Sequence, residues 1–374
     1  MNAARNILIP ACVIVAICAT SNVRADFTFS APANLGPVIN STLGEWGGWF
    51  STDALSLYFC RPPYLSGVEA LWVSKRPSIH DPWGPPTNLG PLSNWLPCKS
   101  IQEAVGLTTA DGLEQYGWGD NAFWGHTGHG GIDIYVLTRA TMDDDWGTCM
   151  NLGSVVNSSA DEASASVSAD GLEMYFSGYR SSTAYTRPGG FGQSDLWVTT
   201  RATRDESWGI PLNLGSIVNS AYQDLRPSIS VDGSLLFYDS LRPGGQGYED
   251  LYVSRRTTRS DPWQASVRLG SEINSSASDC DAHLSADGST LVFNSNRPGG
   301  HGGLDLWQAS IVPIVDFNAD GAVDLADLVL LIDNWGTSDT LYDIGPYAWG
   351  DGVVDVEDLK VFIAEWEKAN PVGP

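Results

Sequence analysis

The fold is decided by a stretch that reads SVDGSLLFYDSLRPGGQGYEDLYVSRR from residue 230 to residue 256. It opens with a Ser-x-Asp-Gly turn, continues with an apolar and aromatic run, passes through a glycine-rich loop and ends in a second aromatic run. Asp-Gly and Pro-Gly-Gly segments between apolar runs are typical of turns that join neighbouring strands. The stretch therefore predicts two adjacent antiparallel strands.

The same order of features recurs along the chain every 55 to 62 residues or so, which indicates an internal repeat. Each unit also has a strand-like segment before the turn and, after the second aromatic run, a segment in which Trp precedes Asn-Leu-Gly. Four short strands per unit make one blade of a β-propeller. We therefore predict an all-β five-bladed propeller over residues 26–312. The five turn aspartates are Asp53, Asp111, Asp170, Asp232 and Asp287.

The N-terminus supplies the strand that the last repeat lacks. The fifth unit runs into a different kind of sequence after Trp307, without a Trp-to-Asn-Leu-Gly segment. Phe29 stands five residues before Asn34, the same offset as Trp83 before Asn88. Because an open ring would leave free sheet edges, we expect the N-terminal strand to close the last blade.

The repeated motifs resemble the TolB-type, WD-repeat-like propeller family over about residues 27 to 312. The resemblance rests on Ser-x-Asp-Gly, Leu-Tyr-Phe, Arg-Pro-Gly-Gly-x-Gly and Asp-Leu-Trp-Val, which recur in this order. The first two copies depart from the pattern at Ala54, Ala70 and Gly117. The resemblance implies a binding or scaffold propeller of envelope or secreted proteins, without a shared enzymatic activity.

A calcium-binding loop is predicted after the propeller, where residues 316 to 327 read DFNADGAVDLAD. Calcium prefers about six to eight hard oxygen ligands, and the glycine at the sixth position of such loops allows the sharp turn that gathers them. Gly321 occupies that position, and an apolar helical segment follows. The predicted ligands are Asp316, Asn318, Asp320, the carbonyl of Ala322, Asp324 and Asp327.

A second, weaker loop and helix follow about 30 residues later. Its first and third positions fall on Tyr347 and Trp349, which cannot supply carboxylates, so Asp343 would have to substitute from a lengthened loop. The predicted ligands of this site are Asp343, Asp351, Asp355 and Asp358.

Duplicated loop-helix units resemble a type I, EF-hand-like dockerin domain, here residues 313–374. The resemblance implies calcium as cofactor and a cohesin-like domain or cell-surface scaffold as partner, often in polysaccharide degradation. The alternative is a calcium-stabilised tail that only stabilises the C-terminus.

A carboxylate stands eight residues before each turn aspartate. Equivalent positions in a propeller form a ring, so these acids are predicted either to surround one mouth of the central channel or to accept hydrogen bonds that hold the blades. The ring consists of Glu45, Glu103, Glu162, Asp224 and Asp279.

Charge and the N-terminus indicate an exported protein that does not bind nucleic acid. The formal net charge of the 374-residue chain is -24, which repels nucleic acid and anionic lipid. Residues 1–25 have the pattern of a signal peptide, and no later segment is apolar enough to span a membrane. We therefore expect a secreted or cell-surface-associated protein. Four cysteines remain after cleavage and allow three pairings, which the sequence leaves open: Cys60, Cys98, Cys149 and Cys280.

Two functional hypotheses follow. The first is a non-catalytic propeller module that binds a protein or glycan and is tethered through the calcium-binding tail. The alternative is a propeller glycoside hydrolase with the same tail, which would need two carboxylates across a sugar bond. A catalytic pair should interrupt the repeat, whereas the ring acids follow it. Exposed aromatic residues outside the repeated positions would suit a sugar surface: Trp46, Trp49, Trp95, Trp118 and Trp124.

Overall fold

The computed structural model describes residues 27–61, 70–91, 101–103, 109–120, 128–178 and 187–370. The predicted signal peptide, residues 1–25, lies outside them. Five antiparallel sheets make up most of the described chain, which confirms the five-bladed propeller.

Blades 1 to 4 each contain four consecutive strands in sequential order. The degenerate second copy still forms its strand, because Tyr116 keeps the regular register opposite Val136. Blade 1 comprises β3 (Trp46–Phe50), β4 (Ser56–Arg61), β5 (Ala70–Lys75) and β6 (Thr87–Pro91); blade 2 comprises β7 (Ile101–Glu103), β8 (Glu114–Asp120), β9 (Ile132–Thr138) and β10 (Met150–Asn151). Blade 3 comprises β11 (Glu162–Val167), β12 (Glu173–Gly178), β13 (Leu196–Thr200) and β14 (Leu212–Asn213); blade 4 comprises β15 (Asp224–Ile229), β16 (Leu235–Ser240), β17 (Asp250–Arg255) and β18 (Val267–Arg268).

Blade 5 joins the two ends of the propeller, as predicted. Its own strands are β19 (Asp279–Leu284), β20 (Thr290–Ser295) and β21 (Asp305–Pro313). The N-terminal strands β1 (Phe27–Phe29) and β2 (Ala33–Asn34) both pair with β21. Asn34 lies opposite Trp307, the register that Asn213 has opposite Trp197 within blade 3. The expected closure of the ring by the N-terminal segment is confirmed.

A second asparagine fastens the outer strand in blades 2 to 5. After β2, the short helix α1 (Gly36–Ile39) leads to Asn40, whose side-chain amide donates to the Leu306 carbonyl over 3.0 Å. The side-chain oxygen Oδ1 of Asn40 in turn accepts from Leu306 N over 2.9 Å. In blade 3 the equivalent helix α2 (Gly215–Val218) leads to Asn219, which brackets Leu196 in the same way. This clamp is therefore a repeated part of the blade.

In blades 1, 3, 4 and 5 the first strand lies closest to the axis, since β11 contacts β15, β15 contacts β19 and β19 contacts β3. Each of these four strands has a register shift, which marks a β-bulge. A bulge redirects a side chain and increases the local twist. The residue at the bulge has a positive φ in each case: Gly47, Ser164, Arg226 and Asp281.

The tail has its own small core. Helices α3 (Leu325–Asp333) and α4 (Val356–Ala369) each start from an aspartate that caps the helix, at Asp324 and Asp355. Phe317 stacks on Phe362 with ring centroids 6.0 Å apart. Within the described residues, no helix has the length and apolar character needed to cross a membrane.

The cysteines differ in state. Cys149 is disulfide-bonded, and Cys98 lies outside the described residues. Cys280 is a buried thiol on β19, and burial raises its pKa well above the usual value.

Candidate functional site

The ring acids lie at equivalent positions, but they are not an open ring of carboxylates. Glu162, Asp224 and Asp279 are the first residues of the innermost strands, and Glu45 directly precedes β3. The side chain of Glu103 belongs to the part of the chain that is not described. The four described carboxylates are at most 1% exposed. Each accepts a hydrogen bond from a serine amide four residues earlier.

Each described ring acid is also neutralised by an arginine of the same blade. The four nitrogen-to-oxygen distances lie between 2.6 and 2.9 Å, for the pairs Arg61 with Glu45, Arg187 with Glu162, Arg242 with Asp224 and Arg297 with Asp279. The guanidinium groups additionally lie over aromatic rings of the third strand. Such buried, fully bonded pairs organise the blade rather than attract a mobile cation. For Glu162, burial outweighs the attraction of Arg187 and raises its pKa to about 7.

A second cluster of charged residues lies where blades 4 and 5 meet near the axis. Arg226 Nη1 donates to Asp239 Oδ2 over 2.8 Å and to Glu249 Oε1 over 3.2 Å. Both carboxylates are buried, while about a quarter of the arginine side chain (24%) is exposed. Asp281 N donates to Asp239 Oδ1, and His283 Nε2 lies 3.4 Å from Asp281 Oδ1. The two blades are thus joined by one ionic network.

The sequence interpretation missed this cluster. Asp239 stands where the other blades have Cys60, Trp118, Ser177 or Asn294. Glu249 stands where blade 3 has Ser194 and where the sequence of blade 1 has Glu69. A signal was available at Asp239, because a charged residue replaces a neutral one at this position in a single repeat. Recognising this signal requires the copies to be aligned position by position.

Asp239 should make the stability of the propeller depend on pH. Burial raises its pKa to about 7, with Glu249 and Asp281 acting in the same direction and Arg226 opposing them. An unfolded aspartate has a pKa of about 3.9, so between these values the folded protein binds a proton that the unfolded chain releases. Stability therefore falls as pH rises from about 4 to 7. Relative to wild type, an Asp239→Asn variant should gain stability between pH 5 and pH 8 in urea unfolding. If the difference in unfolding free energy between Asp239→Asn and wild type does not change with pH, the raised pKa of Asp239 is contradicted.

The tryptophans proposed for a sugar surface do not form one in the described residues. Trp49 and Trp118 are buried, and Trp46 is half-buried against the same core cluster. Trp49 stacks on Tyr58 at a centroid distance of 5.3 Å. Trp95 and Trp124 lie outside the described residues.

The first predicted calcium loop is organised by carboxylates that accept backbone hydrogen bonds. Asp316 accepts from Asp320 N over 3.2 Å and from Gly321 N over 2.9 Å. Asp327 is fully buried and accepts from Phe317 N over 2.8 Å and Asp324 N over 3.0 Å. These bonds bring the start, the turn and the end of the loop together.

The second loop repeats this pattern, with Asp343 in the place of Asp316. Asp343 accepts from Asp351 N over 2.9 Å and from Gly352 N over 2.7 Å. Asp358, the counterpart of Asp327, accepts from the Ile344 and Gly345 amides and from Asp355 N. This loop is four residues longer, since Asp343 precedes Asp351 by eight positions, whereas Asp316 precedes Asp320 by four. Burial raises the pKa of Asp343 and of Asp358.

The residue types of both loops fit calcium. Among the described residues no three His, Cys, Asp or Glu side chains form a group that could hold a metal, so the loop carboxylates would have to move together to bind an ion. The first loop also has neutral oxygen donors, the side-chain amide of Asn318 and the Ala322 carbonyl. Asn318 and Asp320 already meet through a 3.0 Å hydrogen bond, and Gly321 has the positive φ that the turn requires. Such an all-oxygen donor set is the kind that calcium prefers.

Comparisons with known proteins give weak structural similarity. No protein-family model matches the sequence, and no curated protein is similar to it. TolB from Acinetobacter baumannii superposes with a TM-score of 0.43 at 12% identity, over 73% of this chain and 56% of TolB, so the match spans little more than half of that protein. A thermostable family-43 glycoside hydrolase superposes with a TM-score of 0.47 at 15% sequence identity, over 73% of this chain and 91% of the hydrolase. The catalytic domain of the Coprinopsis cinerea GH62 α-L-arabinofuranosidase superposes with a TM-score of 0.48 at 10% sequence identity, over 77% of this chain and 98% of that domain. Such values support no inference about activity.

Proposed function

We propose that this chain is an exported binding module, in which the propeller carries a protein or glycan ligand and a calcium-binding, dockerin-like tail attaches it to a cohesin-like partner. The observation that carries the proposal is the repeated hydrogen-bond pattern of the two tail loops. Asp316 and Asp343 hold the turn of their loops, and Asp327 and Asp358 hold the loop ends.

Calcium would take its ligands from these loops and, when bound, would neutralise and draw together their carboxylates. In the first loop the ligands would be Asp316, Asn318, Asp320, the Ala322 carbonyl, Asp324 and Asp327; in the second they would be Asp343, Asp351, Asp355 and Asp358. An extracellular module typically binds calcium at concentrations near 10⁻⁴ to 10⁻³ M, about the range expected outside cells.

The surface of α3 supports a protein partner. Leu325, Val329 and Ile332 are spaced by four and three residues, which places them on one face of the helix. All three are exposed, Leu325 to 64%. Trp335, just after the helix, is exposed as well. A continuous apolar stripe on a short surface helix is typical of an interaction site.

Calorimetry tests the calcium assignment. Two binding events are expected for the mature full-length protein, and the Asp316→Ala, Asp320→Ala double variant should lose one of them, because two of its carboxylate ligands are gone. The control is Asp333→Ala with Glu367→Ala, which removes the same charge from exposed positions of the tail. If wild type and the Asp316→Ala, Asp320→Ala variant bind calcium equally, the first loop is not a calcium site.

A glycoside hydrolase is the second candidate. Two repeat-breaking carboxylates, Asp239 and Asp281, favour it. They meet Glu249 near the axis, where a catalytic pair would interrupt the regular pattern. Against it, Arg226 binds two of the three. A reducing-sugar assay on arabinan, xylan and other polysaccharides separates the candidates. Turnover that disappears in Asp281→Asn and Glu249→Gln variants would make the hydrolase the better assignment.

A further inference from the structure

Two neighbouring seams of the propeller are closed by ion pairs that cross from one blade to the next. Between blades 2 and 3, Arg201 Nη2 donates to Glu114 Oε2 over 2.6 Å. Between blades 3 and 4, the equivalent Arg256 donates to Glu173 over 2.6 Å. A second arginine in each later blade also binds the turn aspartate of the earlier blade, in the pairs Arg204 with Asp111 and Arg259 with Asp170.

The seam between blades 4 and 5 has none of these partners. The position of Glu173 is taken by Leu235, and the position of Arg256 is taken by Ile311. Both are buried in one apolar cluster. The arginine that would bind the turn aspartate Asp232 has no counterpart, because the chain leaves blade 5 for the tail. This seam therefore needs a different closure.

Trp349 of the tail provides that closure. Its indole Nε1 donates to Asp232 Oδ2 over 2.9 Å, which replaces the missing arginine. Its carbonyl oxygen accepts from Arg255 Nη2 over 2.6 Å. The side chain is 1% exposed and packs edge-on against Phe27 of the closing strand, with centroids 6.0 Å apart. The tail thus touches blade 4, blade 5 and the N-terminal strand through one residue.

The fit on the blade 5 side is tight. Tyr347 stacks on Trp349 at 5.1 Å with the planes 6° apart. Gly288, in the turn of blade 5, has a φ of +70°, and a Cβ there would lie 2.5 Å from Trp349 Cη2. The pair of aromatic rings therefore covers the turn closely.

Trp349 belongs to the four-residue extension of the second tail loop, two residues before Asp351. The loop and the propeller also interact electrostatically: burial lowers the pKa of Arg255, and the nearby carboxylate of Asp343 offsets only part of that effect. The segment that closes the seam is consequently built into the loop that Asp343 and Asp358 organise.

We propose that the second loop is a calcium-dependent clamp on the seam between blades 4 and 5: ordering of the loop by calcium holds Trp349 in the seam, and the docked Trp349 preorganises the loop. The inference rests on the proposed calcium binding of the tail. Linkage makes the coupling reciprocal, so calcium stabilises the propeller and loss of docking weakens calcium binding at this loop by about tenfold.

The clamp is tested by calcium calorimetry and thermal unfolding of the mature full-length protein. Calcium should raise the unfolding temperature of the wild-type propeller, and Asp343→Asn should abolish most of that rise. The matched Asp316→Asn change in the first loop should leave most of it. Trp349→Ala should weaken one of two calcium sites about tenfold, whereas Ile363→Ala, at an exposed apolar residue of α4, should weaken neither.

The outcomes separate this inference from the assignment of calcium to the tail. Two unchanged calcium sites in Trp349→Ala, with the full calcium-induced rise in unfolding temperature, would overturn the clamp and leave calcium binding intact. No calcium binding by the wild-type protein would overturn both. If Trp349→Ala fails to fold, the comparison of Asp343→Asn with Asp316→Asn still tests the clamp. An equal reduction of the calcium-induced rise in unfolding temperature in both variants would contradict it.

Discussion

Arg226→Ala should destabilise the folded propeller by about 3 kcal/mol or more, because it leaves two buried carboxylates without their cation. Arg226 is bound to both Asp239 and Glu249, and neither acid can move into solvent without opening the seam between blades 4 and 5. Removing one partner of a buried ionic group is much more costly than removing the whole group. The free energy of unfolding in urea at pH 8 is the measurement.

A matched control is Arg268→Ala on β18 of the same blade, whose guanidinium makes an exposed 3.1 Å hydrogen bond to the Gly244 carbonyl. Surface substitutions of this kind change stability by at most about 0.5 kcal/mol. If Arg226→Ala lowers the free energy of unfolding no more than Arg268→Ala does, the carboxylates of Asp239 and Glu249 must be neutralised by other groups.

Asn40→Ala should destabilise the protein by about 1 to 3 kcal/mol, since it leaves the buried amide of Leu306 without its hydrogen-bond partner. The Leu306 carbonyl loses one of its two donors and keeps Leu35 N. Asn40 is 2% exposed, so water cannot readily replace the lost bonds. Because Leu306 lies on β21, the substitution also loosens the attachment of the N-terminal segment to blade 5. Chemical denaturation measures the first effect, and native-state proteolysis near residue 36 measures the second.

Asn219→Ala is the corresponding control. It removes the same bonds to Leu196, but within blade 3, where the neighbouring strands are continuous in sequence. Both variants should lose similar unfolding free energy, whereas early cleavage of the N-terminal segment should be confined to Asn40→Ala. Equal resistance of the two variants to proteolysis would mean that β1 and β2 hold the ring without this clamp.

The repeat made most of the propeller predictable. Its spacing gave the number of blades, and the offset between Phe29 and Asn34 indicated which strand closes the ring, as the pairing of Asn34 with Trp307 confirms. These features are local patterns that recur, so one chain carries several independent examples of each. Departures such as Gly117 did not disrupt the strand, because backbone pairing with a complete neighbour outweighs one weak position.

The ring acids show where the repeat is insufficient. Their equivalence was readable, but their partners were not, because Arg187, Arg242 and Arg297 come from a glycine-rich loop whose path depends on the whole blade. The cluster around Arg226 was harder to predict. It brings together residues from three strands and a loop end, and no local spacing relates Arg226 to Glu249.

By itself, the sequence determined the repeating unit, the closure of the ring and the order of oxygen-bearing residues in the tail, because each follows from short-range periodicity and turn chemistry. Only the tertiary structure decided which carboxylates are neutralised and that Trp349 seals the seam lacking its arginine. The first outcome depends on burial and on the path of the glycine-rich loops, and the second depends on a contact between Trp349 and Asp232, more than a hundred residues apart in the chain. Desolvation and packing at such contacts have no signature in the spacing of neighbouring residues.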